Sequence, residues 1–204
     1  IPASVLAIGR AGAGVNNIPV PDCTERGIPV FNSPGANANA VKELVATALL
    51  LGSRGIVEGI AYVHTLADMS DDGELNKLLE AQKKQFKGNE LVGKTLGVVG
   101  LGAIGSMVAD MALTMGMNVC GYDPALSVEA AWRLSSRVKK VDALAPLFAQ
   151  SDYITLHLPV LDSTRGLVNE ELLKSVKPGA CLLNFARQEI VDTKAVIGAL
   201  DNQQ

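Results

Sequence analysis

The sequence predicts an α/β protein built on a doubly wound parallel sheet. Two observations carry this. Short apolar runs of strand length alternate with helix-period segments along the chain, the order that produces parallel strands covered on both faces. One of those runs, Leu96 to Val99, opens directly into three glycines spaced G-x-G-x-x-G at 100, 102 and 105, and an amphipathic helix follows at once.

In chain order, Val5 to Ile8 reads as a first strand. It runs into a loop from Gly9 to Asn17, whose three glycines and two asparagines suit positive φ and exposed backbone N–H groups. Ile28 to Asn32 reads as a second strand, Ser33 to Asn37 as a turn and crossing point, and Asn39 to about Ser53 as a helix. Val41, Leu44, Val45, Ala48 and Leu49 fall on one face of that helix, with Asn37 or Asn39 as its cap. Residues 56–90 are more polar, with a loop at Ala67–Gly73 and a charged surface helix at Glu74–Lys87. After the glycine motif, Met117–Tyr122 is a strand. Leu144, Leu147 and Phe148 mark a helix, and Asp152–Pro159 is a strand that ends in a loop. Asn169 caps a short helix reaching Val176. Ala180–Phe185 is a strand, and Asp192 or Thr193 caps a last helix through Leu200.

The glycine motif is the most informative stretch. Gly100 permits the tight turn out of the strand, Gly102 lets a pyrophosphate approach the backbone, and Gly105 lets helix and sheet pack closely. Ile104, Met107, Val108, Met111, Ala112 and Met115 repeat at helical spacing behind it, and the helix N-terminus offers free N–H groups to phosphates. The next strand ends at Asp123, 18 residues past Gly105, where a carboxylate accepts hydrogen bonds from ribose hydroxyls and repels a 2′-phosphate. The expected fold is therefore a Rossmann-type nucleotide-binding domain, and the expected cofactor is NAD rather than NADP. Gly100–Gly105, Asp123, His157 and Arg187 all fall at predicted strand C-termini, so they are expected to line one crevice. The Gly9–Asn17 loop can hold a carboxylate. Arg10 suits a phosphate or a carboxylate, or stands as an ordinary solvated side chain beside a turn.

Composition narrows the classes. The 204 residues carry a net charge of −3 with scattered Lys and Arg, which gives no footprint for nucleic acid. The apolar runs are too short and too broken by glycine to span a bilayer. Cys23, Cys120 and Cys181 are few, odd in number and widely spaced, as expected of reduced, packed thiols in the cytoplasm. No C-x-x-C or H-x-x-H spacing suggests a metal site. His64 reads as a surface or packing residue.

Four separated motifs resemble the NAD-dependent D-isomer-specific 2-hydroxyacid dehydrogenases. These are Arg10-Ala11-Gly12-Ala13-Gly14-Val15-Asn16-Asn17, Asn32 to Leu44, the Gly100 fingerprint with Tyr122-Asp123-Pro124, and Asp152–Pro159 with Asp162-Ser163-Thr164 followed by Leu183-Asn184-Phe185-Ala186-Arg187. The likeness is greatest to the members that oxidise 3-phosphoglycerate at the entry to serine synthesis. It implies that Arg187 is the catalytic arginine, gripping the substrate carboxylate and polarising the reacting carbon–oxygen bond. It implies substrate binding by the backbone of Ala13, Gly14 and Val15 and phosphate contact by Arg10. It implies cofactor contact by Asn37 and Val41 at the nicotinamide end, by Ala103 and Ile104 at the pyrophosphate turn, and by His157, Pro159, Thr164, Ala186 and Arg187.

The resemblance also divides the chain. Residues 1–36 match the tail of a flavodoxin-like substrate domain, and residues 37–204 match most of the NAD-binding domain, so a central fragment is expected, inactive by itself. The family's acid/base histidine and its carboxylate partner lie downstream of the matched region, and neither His64 nor His157 matches it. Two alternatives stay within this reading: another D-2-hydroxyacid such as lactate or glycerate as substrate, and a non-catalytic NAD-sensing relative. A homodimer or higher homo-oligomer is implied, with the helix near Val41–Leu51 a candidate interface. One departure stands out: Gln188 occupies a position where the family has glycine, a cost of ~1 kcal/mol or more if that position needs φ > 0.

Overall fold

A computed structural model describes residues 1–202 as two parallel sheets with helices around them. The smaller sheet pairs β1 (Ile8–Arg10) with β2 (Val30–Asn32), Ile8 opposite Val30. The first strand is thus displaced from the expected Val5–Ile8. Pro29 has no N–H to donate, so the ladder cannot extend before Val30, and β1 takes its residues from the start of the glycine loop instead. Between the two strands lies α1 (Val20–Glu25), which buries Cys23. Its prolines, Pro19 and Pro21, are the only sequence signal for it.

The turn at Gly35 (φ +83°) delivers the chain to α2 (Ala38–Ser53), which buries Ala38, Val45, Leu49 and Ser53. Asn37 occupies the cap position, but its side chain makes no capping bond. A break of two residues bends the chain by 64° into α3 (Ile56–Thr65). Here the expectation of a merely polar stretch is corrected. The segment is helical, and Ile56, Val57, Ile60 and Val63 stand exposed on it. Gly55 and Gly59 weaken its helical signal; a Cβ at Gly55 would clash with the Phe86 backbone, whereas one at Gly59 would only touch the Phe86 ring. Then come α4 (Asp72–Gln82), capped by the Asp71 carboxylate, and a 3-10 turn at Lys83–Phe86. The expected helix to Lys87 therefore tightens in its last turn.

The larger sheet is a five-stranded parallel sheet. In chain order it is made by β3 (Thr95–Val99), α5 (Ala103–Thr114), β4 (Asn118–Tyr122), α6 (Val128–Arg133), β5 (Lys139–Lys140), α7 (Leu144–Gln150), β6 (Tyr153–Leu156), α8 (Glu170–Leu173), β7 (Cys181–Asn184), a 3-10 turn at Gln188–Ile190 and α9 (Thr193–Asp201). The strand order is β5-β4-β3-β6-β7, so the sheet grows one way from β3 and then the other. The crevice beyond the C-terminal ends of β3 and β6 is the switch point where ligands of such sheets bind. The strand expected at 152–159 pairs only to Leu156, and the helix expected to reach Val176 ends at Leu173. The two-residue β5 and the six-residue α6 are too short to leave a periodic signal.

Alternate residues of each strand feed two separate cores. Leu96, Val98, Val119, Tyr153 and Leu183 face α2 and α5. Val99, Cys120, Ile154, Leu156 and Leu182 face α7, α8 and α9. At Gly97 a Cβ would collide with Ser151 and Leu147, so this glycine sets how closely α7 lies on the sheet. At the N-terminal end of the sheet Asp152 joins three strands. Its carboxylate accepts from Thr95 N–H (2.8 Å) and Lys177 Nζ (3.0 Å), its N–H donates to the Thr95 carbonyl, and its carbonyl accepts from Cys181 N–H. Burial opposes the charge of Asp152, but Thr95, Lys177 and Lys94 outweigh it and hold the carboxyl below the usual carboxylate range. Among the described residues no single helix is long and apolar enough to cross a membrane.

Candidate functional site

The glycine turn has three different backbone jobs. Gly100 sits at φ +89°, where a Cβ would also meet the His157 carbonyl. A Cβ at Gly105 would collide with the Gly100 carbonyl oxygen, so that glycine is required by helix-on-strand contact alone. Gly102 is the opposite case: nothing lies within 4 Å of the Cβ it lacks, which leaves open space at the N-terminus of α5. The first bond of this helix runs from Ser106 N–H to the Gly102 carbonyl. The N–H groups of Ala103 and Ile104 thus precede the helical ladder and are free for an anion.

Asp123 follows β4 and is half-buried. Its Oδ2 accepts from Leu101 N–H (2.8 Å) and its Oδ1 from Ala125 N–H (2.9 Å). The carboxylate therefore braces the glycine turn, a role the sequence did not announce, and each oxygen keeps lone-pair capacity for a hydroxyl donor. Beside it lies a cavity of about 560 Å³, walled by Leu101, Tyr122, Leu126, Leu134 and Val138 among others. An open anion-binding helix end, a half-buried carboxylate and a cavity of mixed lining, with Ser135, Lys140 and Asp142 beside its apolar walls, fit pyrophosphate, ribose and a flat base in sequence.

His157 follows β6 and is largely buried. Its Nε2 lies 3.0 Å from the Thr155 hydroxyl, and its Nδ1 has no partner. Burial pushes its pKa from 6.5 down to about 4, so the ring is neutral at pH 7. Pro159 is exposed. The Thr164 hydroxyl donates to the Pro159 carbonyl (2.7 Å) and accepts from Leu161 N–H (2.8 Å), so it knits the 159–164 loop. His64 is exposed on α3.

The remaining group gathers where β1 and β7 end. Arg187 is exposed, and its Nη2 lies 3.1 Å from the position of a Cβ on Gly14. The structure thus brings Arg187 onto the Ala13-Gly14-Val15 loop, two segments far apart in sequence. Asn32 Nδ2 holds that loop through the Ala13 carbonyl (2.8 Å). Arg10 folds over Gly12 from the other side. Its Nη1 donates to the Ala11 carbonyl (2.6 Å), and its Nε is buried without a partner. Asn37 and Val41 lie at the cap and first turn of α2, Val41 half-buried against the core, and a Cβ on Gly35 just before them would lie 3.5 Å from Ala103. Gln188 opens the 3-10 turn, whose backbone any residue adopts, so the feared left-handed strain does not arise.

A family profile described as D-isomer specific 2-hydroxyacid dehydrogenase, NAD binding domain, matches residues 57–204. The chain belongs to this family. Its domain is an NAD-binding domain, and its cofactor is NAD. The chain is 40% identical over 193 residues to a D-3-phosphoglycerate dehydrogenase of Methanocaldococcus jannaschii, covering 95% of this chain and 34% of that protein. It is 39% identical over 189 residues to a hydroxypyruvate reductase of Thermotoga maritima, covering 93% and 56%. A solved D-lactate dehydrogenase from Aquifex aeolicus, complexed with NAD and lactic acid, superposes with a TM-score of 0.76 at 29% identity, over 97% of this chain and 54% of that one. The chain thus spans between a third and about half of the length of these relatives.

Proposed function

We propose that this chain is part of a D-3-phosphoglycerate dehydrogenase, which oxidises 3-phospho-D-glycerate to 3-phosphohydroxypyruvate at the entry to serine biosynthesis in the cytoplasm. One observation carries the substrate choice: two arginines flank one glycine loop. Arg187 lies against Gly14, and Arg10 lies against Gly12. A substrate with an anionic group at each end engages both, whereas an unphosphorylated hydroxyacid engages only the first.

In this reading residues 1–36 belong to a substrate domain and residues 37–204 to the NAD-binding domain. The turn at Gly35 and the separation of the two sheets support that division. Ala103 and Ile104 N–H hold the pyrophosphate, Asp123 takes the ribose hydroxyls, and His157, Pro159, Thr164, Ala186, Asn37 and Val41 line the path to the nicotinamide end. When bound, NAD accepts the hydride that leaves C2 of the substrate. Arg187 grips the substrate carboxylate and draws electron density from the reacting oxygen, while the Gly14 and Val15 N–H groups receive the same carboxylate. His157 is a poor acceptor for the hydroxyl proton, because burial holds its pKa near 4. The acceptor is assigned to a residue outside the 202 described. The exposed apolar face of α3, with Leu44, Leu50 and Leu51 of α2 beside it, supports association with a second copy.

Arg10→Ala in the full-length protein tests the substrate choice. The KM for 3-phosphoglycerate is expected to rise by about tenfold or more, while that for D-glycerate hardly moves. An unchanged KM for 3-phosphoglycerate removes the phosphate assignment. It would leave the second reading, an unphosphorylated D-2-hydroxyacid, which the engagement of Arg10 Nη1 with Ala11 favours.

A further inference from the structure

We propose that Asn184 is a positioning residue that aims Arg187 at the substrate carboxylate; this rests on the role proposed above for Arg187. Asn184 is the last residue of β7. Its Oδ1 accepts from Ala186 N–H (3.1 Å), and its Nδ2 donates to the Arg187 carbonyl (2.9 Å). The partners fix the orientation of the amide, since an N–H can only donate and a carbonyl can only accept. One planar side chain therefore clamps the backbone on both sides of the Ala186–Arg187 peptide, from a strand whose ladder with β6 is already fixed at Leu156 opposite Asn184.

The far side of Arg187 is anchored independently. Ile190 is fully buried, its carbonyl accepts from Val168 N–H (3.1 Å), and the Glu189 carbonyl accepts from Gly166 N–H (2.8 Å). Arg187 stands between these anchors with an extended backbone (φ −146°, ψ 148°) and an exposed side chain. Its own bond, Nη1 to the Ala186 carbonyl (2.8 Å), depends on where that peptide plane points. Rotating the plane would swing the guanidinium away from Gly14. The amide of Asn184 opposes that rotation, and a longer bond from Ile190 N–H to the same Arg187 carbonyl (3.3 Å) acts beside it.

The side chain chemistry is specific. Aspartate keeps the acceptor for Ala186 but loses the donor, and it sets a carboxylate oxygen against the Arg187 carbonyl. Its charge also offers the guanidinium a competing partner. Alanine loses both bonds and leaves the exposed loop to water.

The test is a double-mutant cycle in the full-length protein saturated with NADH. Binding of 3-phosphoglycerate and of D-lactate is titrated; neither can react, because acid and cofactor are both reduced. Asn184→Asp keeps the size of the residue, so it is compared with Asn184→Ala. Both variants are expected to keep their NADH affinity within about twofold and to lose about tenfold in acid affinity. In the Arg187→Ala background the same changes are expected to cost nothing further. A merely structural role would impose its cost in both backgrounds, and that outcome overturns the proposal. So does wild-type acid affinity in Asn184→Asp. If the unaltered protein binds NADH but neither acid, the hydroxyacid reading itself falls, and the latch falls with it.

Discussion

Asp152 and Arg187 stand at opposite ends of the same sheet. Asp152, at the N-terminal end, spends its side chain and backbone on holding β3, β6 and β7 in register. At the C-terminal end the chain leaves capacity unused. Two buried side-chain nitrogens lack a partner among the described residues: His157 Nδ1, just past β6 at this end, and Arg10 Nε, in the last residue of β1 of the smaller sheet, on the glycine loop that Arg187 meets. Arg187 is exposed, and the open side of Gly102 faces empty space. Unpaired buried polar atoms cost stability, and a ligand that bonded them would recover it. Mutations at the two ends should separate cleanly into losses of function and losses of stability.

The largest effect is expected at Arg187. Arg187→Ala in the full-length enzyme should lower kcat/KM by about 10²–10⁴-fold while the melting temperature stays the same, because the side chain is exposed and binds only its own loop. A large drop in melting temperature would put Arg187 with Asp152 among the structural residues.

His157 gives a pH signature of intermediate size. Its pKa is about 4 in the folded protein and 6.5 when exposed, so between these values the unfolded chain binds a proton that the native state does not. Stability should therefore fall as pH drops from about 6.5 towards 4 and change no further below that. The contribution is about 2 kcal/mol between pH 7 and pH 4.5. Urea unfolding at both pH values should show that His157→Gln loses this part of the dependence; parallel profiles for both proteins would count against a buried neutral imidazole.

The smallest effect belongs to Asp152. Asp152→Ala should cost about 1–2 kcal/mol of stability, limited by the partial exposure of the Asp152–Lys177 pair, and leave NADH affinity intact. Weakened NADH binding at unchanged stability would invert the comparison.

The dinucleotide end was legible in the sequence because its requirements are local. Gly100, Gly102, Gly105 and Asp123 lie within one strand-helix-strand unit, and glycine spacing alone reports where a side chain cannot be. Two of those glycines nevertheless differ in kind. As expected from the sequence, a Cβ at Gly105 meets the Gly100 carbonyl, whereas one at Gly102 meets open space. The meeting of Arg187 with Gly14 was not readable from spacing, since it joins segments from different sheets; only the likeness of their motifs suggested it. Asn32 and Asn184 read only as the ends of strands, because a side chain bonded to backbone leaves no periodic trace. The helix α3 was hidden in a stretch that is polar on average, between the cap glycine Gly55 and an internal Gly59 that lowers helix propensity.

The most direct measurement is calorimetric titration of NADH and NADPH into the protein and into Gly102→Ala. NADH is expected to bind with one site per chain and NADPH at least about tenfold more weakly, because the Asp123 carboxylate repels a 2′-phosphate. Gly102→Ala is expected to melt at the same temperature as the unaltered protein and to lose about tenfold or more in NADH affinity, since its methyl group meets only the space meant for the ligand. Equal affinity for both cofactors, or full NADH affinity in Gly102→Ala, would contradict the assignment of this end of the sheet as the NAD site.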